Sequence, residues 1–185
     1  MCGFTGFVNS GGIEEYDRTI KKMLATLQHR GPDSAGSWSD KDLPVHLGHR
    51  RLSIHDLTMD GHQPMLSSSG RYVLVYNGEI FNHQDLRAEL EDEGGNFDWR
   101  GHSDTETLLA ALRHWGVEGA LKRLNGMFAF SVWDKYKKIL YLVRDRYGIK
   151  PLYYGQWGKI FLFGSEQKAI LQHPVSKKVI DKKAL

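Results

Sequence analysis

One cysteine, Cys2, stands among 185 residues, so a packed core rather than covalent cross-links must hold the fold. No internal disulfide can form, which suits a reducing compartment and excludes a disulfide scaffold. A cysteine-based zinc site is excluded for the same reason. A chain of this length buries enough surface to fold without such staples, as one domain or one domain with a tail. With 41% hydrophobic and 25% charged residues it is ordinary for a globular chain and too apolar for wholesale disorder. Its apolar runs are far short of a membrane span. No basic start followed by an apolar run marks a secretory signal, and the expected location is cytoplasmic.

The net charge of +3 is unevenly placed. From Gln167 to Leu185, Lys168, Lys177, Lys178, Lys182 and Lys183 face only Asp181, which makes this stretch +4 and the rest of the chain −1. A near-neutral body argues against nucleic acid as a partner. The tail reads as a solvated linker.

Hydrophobic spacing predicts a layered α+β domain. Phe4 to Val8 is a short apolar strand. Ile13, Tyr16, Ile20, Met23, Leu24 and Leu27 recur at helical spacing, so Ile13 to Gln28 is expected to be an amphipathic helix, ended by Gly31 and Pro32. Val45 to Ile54 and Tyr72 to Tyr76 are rich in strand formers, and Asn77-Gly78 signals a tight turn after them. His83 to Glu93 is helical and stops at Gly94-Gly95. Ser103 and Glu106 have the spacing of a capping box ahead of a helix through Trp115. Phe128, Phe130 and Val132 alternate with Ala129, Ser131 and Trp133. Lys135 to Lys138 turns the chain into the strand Ile139 to Val143. Leu152 to Tyr154 and Ile160 to Phe163 form a last pair, and Ser165 is expected to cap a short helix through Gln172.

Three groups of residues suggest chemistry. Initiator methionine is usually removed when the next side chain is small, which would leave Cys2 with a thiol and a free amine in one residue. Their reference pKa values are about 8.5 and about 7.7–8.0, so the amine can act as base for its own thiol. While Met1 remains, that amine is tied up in a peptide bond. Asn77 and Gly78 can point a side-chain amide and a backbone N–H at one oxygen, as a tetrahedral oxyanion requires. Arg51 and Asp104 suit the carboxylate and ammonium of an α-amino acid. Ser10-Gly11-Gly12 before a helix suggests a phosphate loop, but Glu14 and Glu15 would repel phosphate and no Walker lysine follows. The nine histidines show no close-spaced metal pattern, so no metal is expected.

An ordered set of segments resembles one family. Met1-Cys2-Gly3-Phe4-Thr5-Gly6, the HRGPD run His29 to Asp33, Gly48 to Ile54, Gly61 to Met65, Tyr76 to Asn82, Ser103 to Glu106, Gly126 to Phe130, the RDRYGIKPLYY run Arg144 to Tyr154 and Gly164-Ser165-Glu166 span residues 1–171. They resemble the N-terminal glutaminase domain of class II glutamine amidotransferases, in the asparagine synthetase branch. The resemblance implies an N-terminal-nucleophile (Ntn) hydrolase fold, a four-layer α-β-β-α sandwich. It implies that Cys2 attacks the side-chain amide of glutamine, that Asn77 and Gly78 hold the oxyanion, and that Arg51, Leu52, Ile54, Asn77, Glu79 and Asp104 help to bind substrate. The domain then covers residues 1–171, with 172–185 a basic linker toward a C-terminal synthetase domain absent from this chain. That domain would use ATP and Mg to make asparagine from aspartate, as a ligase; the glutaminase itself would need no cofactor. Another acceptor such as a sugar, a non-catalytic glutamine-binding module and a homodimer all remain open. In the RDRYGIKPLYY run, Arg144 and Asp145 are expected to pair at a strand end, with Gly148 and Pro151 setting the turn.

Overall fold

Two antiparallel sheets are stacked between helices in this computed structural model, which describes residues 1–9, 15–54, 58–95 and 97–176. The first sheet is ordered β2 (Ser34–Ser39), β3 (Val45–Arg51), β1 (Gly3–Asn9), β9 (Ile160–Gly164), β8 (Tyr153–Trp157). The second is ordered β4 (Met65–Leu66), β5 (Tyr72–Ile80), β6 (Gly126–Asp134), β7 (Ile139–Arg144). Helices α1 (Tyr16–Ala25) and α4 (Gln167–Ile170) lie against the first sheet, α2 (His83–Asp92) and α3 (Asp104–Arg123) against the second. The strands nearest the two chain ends meet in one sheet, because β1 pairs with both β3 and β9.

Alternation dictates this layering. Phe128, Phe130 and Val132 of β6 face α3 and pack with Leu108 and Leu112. Ala129 and Trp133, on the opposite face of the same strand, pack with Phe4, Leu47, Val75 and Phe163 between the sheets. Phe7 and Leu162 point the other way, onto Ile20, Met23 and Ile170 of the helices. Three apolar layers demand four layers of backbone, α-β-β-α, as expected. Phe4, Phe7, Phe130 and Phe163 are fully buried, each contributing about 1.5–3 kcal/mol.

Several local expectations fail for identifiable reasons. Asn77-Gly78 is no turn: both residues lie inside β5, opposite Ala129 and Phe128 of β6. A β-carbon on Gly78 would meet the Met127 carbonyl oxygen at 2.4 Å, so the glycine serves close strand approach. Ser165 does not cap α4; its Oγ accepts from the Phe4 N–H at 3.0 Å across the sheet. Ser103 does cap α3 by accepting from the Glu106 N–H, but Glu106 bonds the N–H groups of Arg100 and Gly101 rather than closing the box. The φ of 72° at Gly116 breaks α3 just past the predicted end at Trp115, and the helix resumes after it. α1 is seen from Tyr16, and Ser10 to Glu14 lie outside the described residues, as do the tail lysines from Lys177 onward. Ser34–Ser39 was not expected as a strand, since it holds one strong strand former, Trp38.

Arg144 and Asp145 do not pair with each other. Arg144 donates to the carbonyls of Gly148 and Lys150. The Asp145 carboxylate accepts from the N–H groups of Phe128, Tyr147, Ile149 and Lys150, at 2.9 to 3.2 Å. Gly148, with φ 65°, makes the turn. Burial opposes ionisation of Asp145, but the four N–H groups overcome it and lower its pKa. Its contribution is therefore present above the ordinary carboxylate pKa and lost as pH falls through the lowered one. Asp145→Ala leaves these donors unmatched and is expected to cost about 3 kcal/mol. A thermal melt at neutral pH should show Tm lower by about 10 °C.

Candidate active site

β1 begins at Gly3, so Cys2 stands at the head of a central strand, half-buried. Its sulfur accepts from the Leu52 N–H at 3.4 Å and donates to the Leu52 carbonyl at 3.6 Å. Burial pushes the thiol pKa up; the Leu52 N–H, the terminal ammonium and Arg51 pull it down, and Asp104 adds to the rise. The net direction is up, so the sulfur needs a base to become a nucleophile.

The HRGPD run is a clamp for this residue. Arg30 donates Nε to the Cys2 carbonyl at 2.9 Å and Nη1 to Glu166 at 3.0 Å. His29 also bonds Glu166, at 2.9 Å. Burial works to raise the Glu166 pKa, but Lys168, Arg30 and His29 hold it down to about 2. Gly31 lies so close to β3 that a β-carbon would meet the Arg50 carbonyl carbon at 2.3 Å. Asp33 accepts from the Ser53 N–H at 2.7 Å and fixes the chain leaving β3. None of these ties was visible in the spacing of the motif, since the partners are up to 137 residues apart.

β3 delivers Arg51, which is 8% exposed and donates Nη1 to the Thr58 carbonyl at 2.6 Å. Its guanidinium lies against Gly61, where a β-carbon would come within 2.1 Å of Nη2. Among the described residues β4 pairs with β5 at Val73 and Leu74, and Ser67 continues the contact to Tyr72, so the cleft is met by the far end of that strand edge, Tyr76 to Glu79. The N–H groups of Tyr76 and Ile80 point off it, to Gln63 Oε1 at 2.7 Å and Asp104 Oδ2 at 2.9 Å. Gly78 lies between them in the same alternation, which aims its N–H off the same edge. The neighbouring Asn77 is 2% exposed, and its Nδ2 is buried without an acceptor. A buried donor left in this state is rare and marks a place where an acceptor is needed. α3 presents Asp104 from its first turn.

All eight residues singled out from the sequence line one cleft of about 190 Å³: Cys2, Arg51, Leu52, Ile54, Asn77, Gly78, Glu79 and Asp104. That is below the ~300–1,000 Å³ of drug-sized sites and suits one amino acid rather than a nucleotide. Gln63, Tyr76, Thr105, Met127 and Lys150 also line it. Gln63 and Tyr76 both belong to quoted motifs that could have flagged them, although neither has a role assigned there. Met1 lies in the cleft mouth, its sulfur 3.3 Å from Lys150 Nζ. Among the described residues no group of three or more His, Cys, Asp or Glu side chains could hold a metal ion, and no helix is long and apolar enough to cross a membrane.

Known proteins agree with this architecture. The family model described as "Glutamine amidotransferase domain" matches residues 1–185. The Bacillus subtilis (strain 168) proteins named asparagine synthetase (glutamine-hydrolyzing) 3 and 1 are 42% and 43% identical over the whole chain. The chain spans only 30% and 29% of their lengths. The solved structure of a glutamine phosphoribosylpyrophosphate amidotransferase from B. subtilis superimposes with a TM-score of 0.74 at 24% identity, over 91% of this chain and 43% of that one. At that identity the likeness speaks for the fold, which is that of the Ntn amidotransferases. A full-length family match, relatives above 40% identity and a cleft built at the head of β1 converge: the chain belongs to the glutamine amidotransferase domain family.

Proposed function

We propose that the chain hydrolyses glutamine to glutamate and ammonia with Cys2 as the nucleophile. The observation that carries this is the sharing of one small cleft by the Cys2 thiol, the acceptor-less Asn77 amide and the inward Gly78 N–H. Removal of Met1 frees the α-amine of Cys2. The amine takes the thiol proton, which the raised thiol pKa makes necessary. Sulfur bonds to the side-chain amide carbon, and the carbonyl electrons move onto oxygen between Asn77 and Gly78. The intermediate collapses by breaking the C–N bond; the nitrogen takes a proton from the α-ammonium and leaves as ammonia. Water then adds to the thioester, and glutamate leaves with the thiol restored. Arg51 holds the substrate carboxylate and Asp104 its ammonium, with Glu79, Leu52 and Ile54 shaping the walls.

The ammonia serves an asparagine synthetase-type domain outside this chain, reached from residues 172–185, where ATP and Mg act. The names of the relatives and their threefold greater length support that reading. The test is the purified chain with glutamine, after an intact mass has shown that it begins at Cys2. Equimolar glutamate and ammonia are expected. A chain beginning at Cys2 that releases neither contradicts the proposal.

A further inference from the structure

Asp104 does not offer both carboxylate oxygens to the cleft. Oδ2 is taken by the Tyr76 hydroxyl at 2.6 Å and by the Ile80 N–H at 2.9 Å, and neither bond uses Oδ1. Tyr76 is itself fixed at two further points: its N–H donates to Gln63 at 2.7 Å, and its carbonyl accepts from His49 Nε2 at 2.9 Å. Its ring is 3% exposed among the apolar residues under α3. We propose that Tyr76 is a positioning residue that, by holding Oδ2, turns Oδ1 of Asp104 toward the α-ammonium of the substrate and so sets the selection for ligands carrying that amine. This inference rests on the reading of Asp104 as the ammonium anchor.

The alternative for Asp104 is close at hand. It stands in the first turn of α3, where open backbone N–H groups attract a carboxylate. Without the phenol, the side chain can swing toward them and away from the cleft. The phenol is suited to its task because it stays a donor: burial and the adjacent Asp104 carboxylate raise its pKa well above the ordinary value. His49 below it is equally constant, since burial holds its pKa down to about 3 and a neutral ring donates through Nε2.

The experiment compares glutamate and glutarate, which differ by the α-amine alone, as competitive inhibitors of glutamine hydrolysis by the native chain, Tyr76→Phe and Asp104→Asn. The preference for glutamate is the ratio of the two inhibition constants. Tyr76→Phe should lower it about tenfold, the scale of one hydrogen bond to a charged group, through glutamate alone, and KM for glutamine should rise more than kcat falls. Asp104→Asn should remove the preference. If Asp104→Asn removes it and Tyr76→Phe leaves it intact, or shifts both inhibitors equally, the positioning role is overturned. If Asp104→Asn keeps the preference, the ammonium reading itself fails and the inference with it. Should Tyr76→Phe not fold, Tyr76→Met removes the hydroxyl with a more adaptable apolar chain, and the same outcomes apply.

Discussion

Cys2→Ser should reduce glutamate release by about 10³-fold or more in kcat, because a serine hydroxyl at this site lacks the acidity that lets an α-amine activate it. The substitution keeps a small polar group that can still bond the Leu52 backbone, as the sulfur does now. The fold should therefore hold, with Tm within a few degrees of the native chain, and the loss is chemical. A chain that retains Met1 should be as silent, since its Cys2 nitrogen is an amide. The two silent proteins differ in one respect: trimming Met1 restores activity to the second only. Release by Cys2→Ser at more than a few per cent of the native rate contradicts the assignment of the nucleophile.

Asn77→Ala should lower kcat by about 10²–10³-fold with little change in KM, the usual result of removing one oxyanion donor. Its effect on stability should run the other way. A buried, unmatched donor costs about 1–3 kcal/mol, and the Asn77 Nδ2 is such a donor. Alanine removes that cost, so a melt should show Tm unchanged or raised while activity collapses. That opposition is the mark of a group kept for function rather than for packing. A fall in Tm matching the loss of activity would instead make Asn77 a structural residue.

Much of the architecture was legible because it follows from alternation. The switch between Phe128, Phe130 and Val132 on one face and Ala129 and Trp133 on the other anticipates a strand buried on both sides, and that strand lies at the centre of the sandwich. The failures come where a local signal met a long-range partner. Asn77-Gly78 carries the strongest short-range turn signal in the chain, yet β6 holds it in register from Tyr72 to Ile80. Ser165 has the right residue type for a cap, but the Phe4 N–H, 161 positions away, claims its oxygen. Ser34–Ser39 is poor in strand formers and is extended because β3 lies beside it from Ser34 to Ser39.

The candidate site was legible for a different reason. Cys2, Asn77, Gly78, Arg51 and Asp104 each match a chemical need of amide hydrolysis, and motif order tied them together. The supporting residues were not legible. Arg30 reaches Cys2 from 28 residues away and Tyr76 reaches Asp104 across the same separation. No periodicity or spacing encodes such contacts; the first arises where the chain leaving α1 packs on the first sheet, the second where α3 packs on the second.

The central claim is that the sulfur of Cys2 becomes acylated. Acid quenching during turnover, followed by peptide mapping by mass spectrometry, tests it directly. The account predicts a single glutamyl group on the N-terminal Cys2 peptide, removed by hydroxylamine and absent from Asn77→Ala trapped at the same early time. A glutamyl group on any other residue, or steady glutamate release with Cys2 chemically blocked, would contradict it.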